Sequence, residues 1–513
     1  MTRLLGVLSS IALFAGVWTA DAGGYWTAER NLSDTATDSE TGLNHAAMAV
    51  TDDGALHVVW AERDGPNQNY RIYSRQCSSG QWTPAELVVD YLEAYPGALA
   101  GAKYPALAAT PDGDLHLFWH DYRVAGIQNV EIFTKTRSPG SGWDASPAAD
   151  IRFTTSDHPE TNGDNGYVPV PVVAESGALH VLWYDFRFDG NFAEILARSR
   201  GAGAAWDLSA GDAPDDRITA DSALSELVAA DAAPDGTLHA VWRSVDGGAR
   251  ILHALRDPAT GAWTTPDTVD TAGAVGGAPA LGCATDGSAH VVWPDSRDGG
   301  RALFVRVRSP GGSWSAEERI TRPADGADEP SLARGPDQAM HLVWSDARVS
   351  LFNREVFLRS RAPGAPWDTT GAADHRVSDS AGRSLRPSVI AHGGSVSVLW
   401  KDDRDGDFDI HYRRLADDAT FASPENPRRL AEARAWPNPS RGVPVRVHLG
   451  TGREAGTLRV VDVRGREVRR LAPPGPDSAL WDLRDRRGHP VPGGVYFLAA
   501  SREGPVIRIT VLR

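Results

Sequence analysis

One unit recurs seven times in this chain: an apolar stretch ending in Trp and, in most copies, a following Asp-x-Arg. It reads HVVWAER at His57–Arg63, HLFWHDYR at His116–Arg123, HVLWYDFR at His180–Arg187 and HAVW from His239. It returns as HVVWPDSR at His290–Arg297, HLVWSDAR at His341–Arg348 and SVLWKDDR at Ser397–Arg404. The tryptophans (Trp60, Trp119, Trp183, Trp242, Trp293, Trp344, Trp400) lie 51 to 64 residues apart. Each unit holds four segments; the sixth reads PSLARGPDQ, MHLVWSDAR, REVFLRSRAPGAP and WDTTGAADHRVS. The first three cluster β-formers over five to seven residues with Gly, Pro and Asp between them, the pattern of strands joined by turns. No segment after the N-terminus keeps a long 3.6-residue period with caps, so helix is expected to be scarce. Four antiparallel strands repeated seven times predict an all-β, seven-bladed β-propeller. A linear β-solenoid is the alternative, but its coils generally run below about 30 residues.

Ring closure follows from a mismatch in counts. An aromatic residue, then polar residues, then an Arg-apolar pair opens the fourth segment at Trp82, Trp143, Trp206, Trp263, Trp314 and Trp367. The same pattern stands ahead of the first unit at Trp26–Ser33. The N-terminal strand is therefore expected to complete the last blade and cover exposed sheet edges. Phe421–Leu430 competes for that place and is read as leading out of the ring.

Residues 1–22 carry one Arg, an apolar run from Leu4 to Val17 and Ala20-Asp21-Ala22, the grammar of a secretory signal peptide. That run falls short of the roughly 20 residues a spanning helix needs, so no transmembrane span is expected in the mature chain. The expected domains are residues 1–22, a propeller over 23–430 and a C-terminal domain over 431–513. The net charge of −15 is uneven. Ala431–Arg513 carries fifteen Arg against eight Asp or Glu, leaving an acidic body that disfavours nucleic acid as a partner. Cys77 and Cys283 fall in different units and read as isolated core thiols. Only three lysines occur: Lys103, Lys135 and Lys401.

The repeated pairs are Asp121/Arg123, Asp185/Arg187, Asp295/Arg297, Asp346/Arg348 and Asp402/Arg404; unit one has Glu62/Arg63 and unit four has Ser244. Residues i and i+2 share one face of a strand, and carboxylate beside guanidinium forms a charge-assisted bond. A repeated pair suits a repeated structural job, so these are read as fasteners, with Glu131, Glu194, Glu355 and Asp409 as acidic partners opening strand three. Asp403, Asp405, Asp407 and Asp409 alternate around Gly406, a spacing that resembles a calcium loop, so calcium is a possible ligand there. Two enlarged connections, Asp90–Tyr104 and Thr154–Pro171, offer Tyr91, Tyr95, Tyr104, His158, Asn165 and Tyr167 as ligand-binding candidates, because long loops on a rigid scaffold carry binding.

The turns RSPGGSW (Arg308–Trp314), RSPGSGW (Arg137–Trp143) and RSRAPGAPW (Arg359–Trp367) resemble degenerate, BNR-type Asp-boxes of sialidase propellers. The resemblance covers about Gly23 to Leu430 and implies the fold. Sialidase activity would further need three converging arginines, a Tyr–Glu nucleophile pair and an Asp acid/base. The Arg-Ile-Pro segment that usually supplies the first arginine has no match in the chain, the Asp that names the box is missing in these three turns, and sialidases are typically six-bladed. Pro437-Asn438-Pro439-Ser440, the Val460–Val468 run and Trp481-Asp482 through Gly494-Val495-Tyr496-Phe497 resemble the type IX secretion sorting domain and the immunoglobulin-like domain of flagellar hook-capping (FlgD-like) proteins. Leu483 stands where the hook-cap pattern has Gly.

The expectation is an exported bacterial protein, secreted or on the cell surface, whose propeller binds extracellular glycans or proteins without catalysis. Its C-terminal immunoglobulin-like domain would engage sorting machinery. The alternatives are a glycoside hydrolase or lyase acting at the funnel, or a purely structural surface module.

Overall fold

The computed structural model divides the chain into two compact units, Met1–Asp418 and Ala419–Arg513. It describes residues 25–33, 38–41, 47–64, 69–90, 101–121, 130–154, 168–189, 192–209, 214–273, 275–350 and 353–416 of the first unit. In the second it describes 434–436, 443–448, 458–462, 467–471, 478–499 and 506–512. The expected signal segment and the competitor Phe421–Leu430 lie outside the described residues.

The first unit is a seven-bladed propeller of antiparallel sheets. Blade six shows the plan: Asp328–Arg334, Met340–Ser350, Asn353–Arg361 and His375–Arg376 pair in sequence order. The first strands are innermost. Met48–Val50, Lys103–Ala109, Val170–Val173, Leu224–Ala232, Ala280–Cys283, Asp328–Arg334 and Ser384–His392 neighbour one another in turn, and the last meets the first. Blade seven is closed by the N-terminus, with Tyr25 opposite Ala416, Trp26 opposite Leu415 and Arg30 opposite Tyr412. Helix is confined, among the described residues, to two single turns at Pro147–Ala149 and Pro323–Asp325.

Every repeat Trp is fully buried on its second strand. In blades one, two, five and six it stacks on the aromatic residue directly opposite: Tyr73, Phe133, Phe304 and Phe357. Cross-strand aromatic pairs are a recognised source of sheet stability. The second tryptophans fall at the turn before the fourth strand rather than on it, since Arg256 bridges Trp263 and Arg308 bridges Trp314. The fourth strands proper are short, such as Ile151–Arg152 and Glu318–Arg319. The hairpin between first and second strands turns on a glycine with positive φ, for example Gly113 and Gly236, and in unit six Gln338 takes the same conformation at φ 67.

Adjacent blades are latched by a third-strand cation that donates to a carbonyl at the end of the preceding blade. Lys135 reaches the Val88 oxygen at 2.9 Å, Arg306 that of Val269 at 2.7 Å and Arg359 that of Ile320 at 2.7 Å. Arg198 and Arg413 do the same with Phe153 and Val377. Blade four has Ala254 at this position. Cys77 and Cys283 are buried free thiols.

The second unit holds two antiparallel sheets. One runs Arg434–Trp436, Val445–His448, Ser478–Trp481; the other runs Glu467–Leu471, Leu458–Asp462, Gly494–Ala499, Val506–Val511. They share a core around Trp481, Tyr496, Val445, Val460 and Ile509. Leu483 sits at φ 57, a left-handed conformation that costs a residue with a Cβ roughly 1–2 kcal/mol, which gives a physical reason for glycine in the pattern it resembles.

Candidate functional site

The repeated side chains form buried networks within the blades that carry the Asp–Arg pair. Trp119, Trp183, Trp344 and Trp400 donate Nε1 to Asp121, Asp185, Asp346 and Asp402 at 2.9 to 3.3 Å. The same carboxylates accept from the Arg two residues on: Arg187 at 2.7 Å, Arg348 at 2.6 Å and Arg404 in a bidentate pair at 2.8 and 2.7 Å. Arg297 likewise pairs with Asp295. Arg123 lies outside the described residues.

Each of these arginines holds a second carboxylate from elsewhere: Asp215, Glu317, Asp374 and Glu29 for Arg187, Arg297, Arg348 and Arg404. The acids that open strand three do something else. Glu131, Glu194 and Glu355 bind Arg152, Arg217 and Arg376 of the fourth strand, and Asp409 binds Asn31 and Ser33 of the N-terminal clasp. Burial pushes the Glu131 carboxyl up to about 7. The buried Nε1 of Trp242 in blade four, where Ser244 replaces Asp, has no acceptor, and neither has that of Trp293 in blade five.

The four aspartates of the seventh unit are dispersed. Asp403 accepts from Arg383, Asp409 from Asn31 and Ser33, and Asp405 and Asp407 are exposed. Among the described residues no group of three or more His, Cys, Asp or Glu is gathered to hold a metal ion. Of the loop candidates, Tyr91, Tyr95, His158, Asn165 and Tyr167 lie outside the described residues. Tyr104 is described, and it belongs to a different feature.

That feature combines two positions per blade that do not repeat. The first is the residue after the repeat Trp: Ala61, His120, Tyr184, Arg243, Pro294, Ser345 and Lys401. The second is a bulge in the first strand, where Tyr104, Leu227, Glu329 and Arg386 all take positive φ between 50 and 54. Non-glycine residues in the left-handed region carry strain of order 1–3 kcal/mol, and such strain clusters at functional sites. The two positions lie at one end of the blades, since Lys103 pairs with His120 and Leu385 with Lys401.

In blades six, seven, one and two, groups at or beside these positions come into contact. The Tyr104 ring stands edge-on to His120, centroids 4.6 Å apart. Lys103 Nζ lies 4.8 Å from the centre of the Tyr70 ring. Burial first, and then Glu40, push the Tyr70 phenol up to about 12, with Tyr104 also in electrostatic reach. Glu40 faces Arg386 at 3.9 Å, and the Arg386 backbone N–H donates to Glu329 at 2.9 Å. Lys401 is buried and lies over the Phe408 ring at 4.2 Å. Phenol, ammonium and guanidinium are thus brought to one rim, with the His120 imidazole fully buried against Tyr104. A separate cavity of about 300 Å³ among the inner strands is lined by Val170, Leu281, Leu332, Arg334 and Asp231. The Asp231 carboxylate there binds the Cys283 backbone N–H.

A family model described as "BNR repeat-containing family member" matches residues 15–271. None of the curated proteins matches the sequence. Among solved structures, polysaccharide lyase Uly1 superposes with a TM-score of 0.50 at 10% identity, over 74% of this chain and 90% of that one. An ulvan lyase bound to -[GlcA(1-4)Rha3S]- gives 0.49 at 11% identity, over 77% and 97%. The α-L-arabinanase of Penicillium chrysogenum complexed with arabinobiose gives 0.44 at 15%, over 64% and 97%. At such identities the first of these likenesses speaks for the fold alone.

Proposed function

Because the chain belongs to the BNR repeat-containing family, we propose that its propeller binds an extracellular glycan at the rim where blades six, seven, one and two meet. The observation that carries this reading is the gathering of non-repeating polar side chains on a scaffold whose repeated Asp–Arg pairs bind one another. Aromatic rings beside fixed charges suit a polyhydroxyl ligand, which offers apolar ring faces and polar edges. A glycan array tests it with the wild type and Tyr104→Gly, a change that removes the ring at a position whose φ of 51 suits glycine. Loss of a central aromatic contact should weaken binding about tenfold or more. Equal binding by the variant would sink the reading.

A second reading has one observation in its favour. Tyr104, half-buried, and His120, fully buried against it, are groups that move protons and lie in the same region as Lys103, Arg386 and Lys401. Eliminative cleavage of a uronate-containing chain needs a base for the proton next to the carboxylate and a cation to steady the charge that develops. Turnover by the wild type with an unsaturated product, lost in His120→Gln, would favour a lyase over a binder.

The reading includes export and a sorting or attachment role for the C-terminal unit. Its support is sequence resemblance, together with a separate core around Trp481. Removing residues 435–513 is expected to leave the propeller in the periplasm of the producing bacterium, scored by fractionation. Unchanged surface delivery of the truncated chain defeats it.

No helix among the described residues is long and apolar enough to cross a membrane.

A further inference from the structure

Lys401 follows Trp400 at the end of the second strand of blade seven and is 6% exposed. Among the described residues its ammonium has no carboxylate at salt-bridge distance and no hydrogen-bond acceptor; its close neighbour is the face of Phe408. Nearly all of the Lys401 side chain is removed from water, and a cation stripped of part of its hydration with no ion-pair partner is destabilised. Beside it, the buried Nη1 of Arg386 also lacks a hydrogen-bond acceptor and reaches Glu40 only at 3.9 Å.

The nearby acids are already engaged. Glu329 accepts the Arg386 backbone N–H, while Asp38 accepts that of Phe408 and faces Arg63 at 3.7 Å. Two cations with unused protons therefore sit together in a region whose carboxylates are committed. Arg386 in addition holds a strained backbone at φ 50. In a chain with only three lysines, two of them, Lys103 and Lys401, stand on this rim.

We infer that Lys401 and Arg386 form an anion subsite that takes the carboxylate or sulfate ester of an acidic polysaccharide. This rests on the glycan reading and specifies its ligand. Burial lowers the Lys401 ammonium's pKa, Arg386 lowers it further, and Glu40, Glu329 and Asp38 oppose them. A bound anion would offset that penalty and fill both sets of donors.

The test uses the full chain, wild type and Lys401→Met, with three probes at constant ionic strength: polygalacturonate oligomers, dextran sulfate and dextran. A charge-assisted hydrogen bond is worth about 1.5–3 kcal/mol, so the variant should lose roughly tenfold or more in affinity for an acidic probe. Neutral dextran, which offers no charge for the ammonium, should lose less affinity than the acidic probe. The probe affected tells carboxylate from sulfate.

Lys401→Met should also melt at or above the wild type, because an apolar chain replaces an unpaired buried charge. Arg386→Gly, which suits the positive φ, should reproduce the binding loss if the first variant misfolds. Retained acidic affinity, or a lower melting temperature for Lys401→Met, overturns the subsite. Wild-type binding of neutral glycans alone overturns the subsite and leaves the glycan reading standing. Absence of any glycan binding by the wild type overturns both.

Discussion

Acidification from pH 7 to about 4.5 is expected to unfold the propeller, because its repeat histidines are buried and uncharged. Burial, with an arginine adding to it, holds His57, His116, His180 and His290 down to about 4. Burial and the neighbouring His253 take His239 to about 3. The ordinary histidine value is 6.5, so between pH 6.5 and 4 the unfolded chain binds protons that the folded chain refuses. Stability then falls with falling pH, and the loss is complete once pH passes below the folded values.

Each shift of about 2.5 units corresponds to roughly 3 kcal/mol, and five of them reach about 15 kcal/mol, the upper end of ordinary domain stability. Glu131 acts the other way: raised to about 7, it takes up its proton first in the folded state and adds stability as pH falls from 7. Burial also raises Asp215, Asp231, Asp270 and Asp328, so these acids together offset part of the histidine contribution. Tryptophan emission is the natural readout, since all seven repeat tryptophans are buried. His116 accepts from Arg200 at 2.9 Å, a role the side-chain oxygen of glutamine can keep. His116→Gln should therefore move the acid midpoint downward. A native spectrum persisting at pH 4 would contradict the argument.

The scaffold was legible in the sequence because it repeats. Seven tryptophans count the blades, and the stray Trp26 locates the clasp later found opposite Leu415. The rim was not legible for the converse reason: its residues share a position and no residue type. His120, Arg243 and Lys401 stand alike after Trp, and the one variable place in an otherwise repeated unit was the available signal. The bulge is harder still, since Tyr104, Leu227, Glu329 and Arg386 are united by a backbone angle that no side chain announces. Pro105, Pro330 and Pro387 after three of them were the only trace. Charge partners also eluded pattern reading. Spacing places Asp and Arg on one face, but it does not reveal that Asp215, far along the chain, is the second acid on Arg187.

Replacing Asp215 by Ala is expected to be among the most damaging single changes in blade three. Its Oδ2 accepts from Arg187 Nη1 at 2.8 Å and its Oδ1 from Arg198 Nε at 2.6 Å, with both guanidiniums at most 2% exposed. Arg187 would keep Asp185, but Arg198 would keep only the carbonyls of Phe153 and Asp207. Breaking a buried pair by removing one partner costs about 3–5 kcal/mol, because the surviving charge stays out of water. Asp215→Asn should cost less than Ala, since its amide oxygen still accepts from one guanidinium while its NH2 opposes the other. Blade four supplies the control. Ser244 occupies the place of the repeat Asp with no Arg to hold, so Ser244→Ala should stay within about 0.5 kcal/mol of the wild type. Urea unfolding followed by tryptophan emission separates the cases. If Asp215→Ala unfolded at the same midpoint as Ser244→Ala, the buried charge network would have no part in holding blade three together.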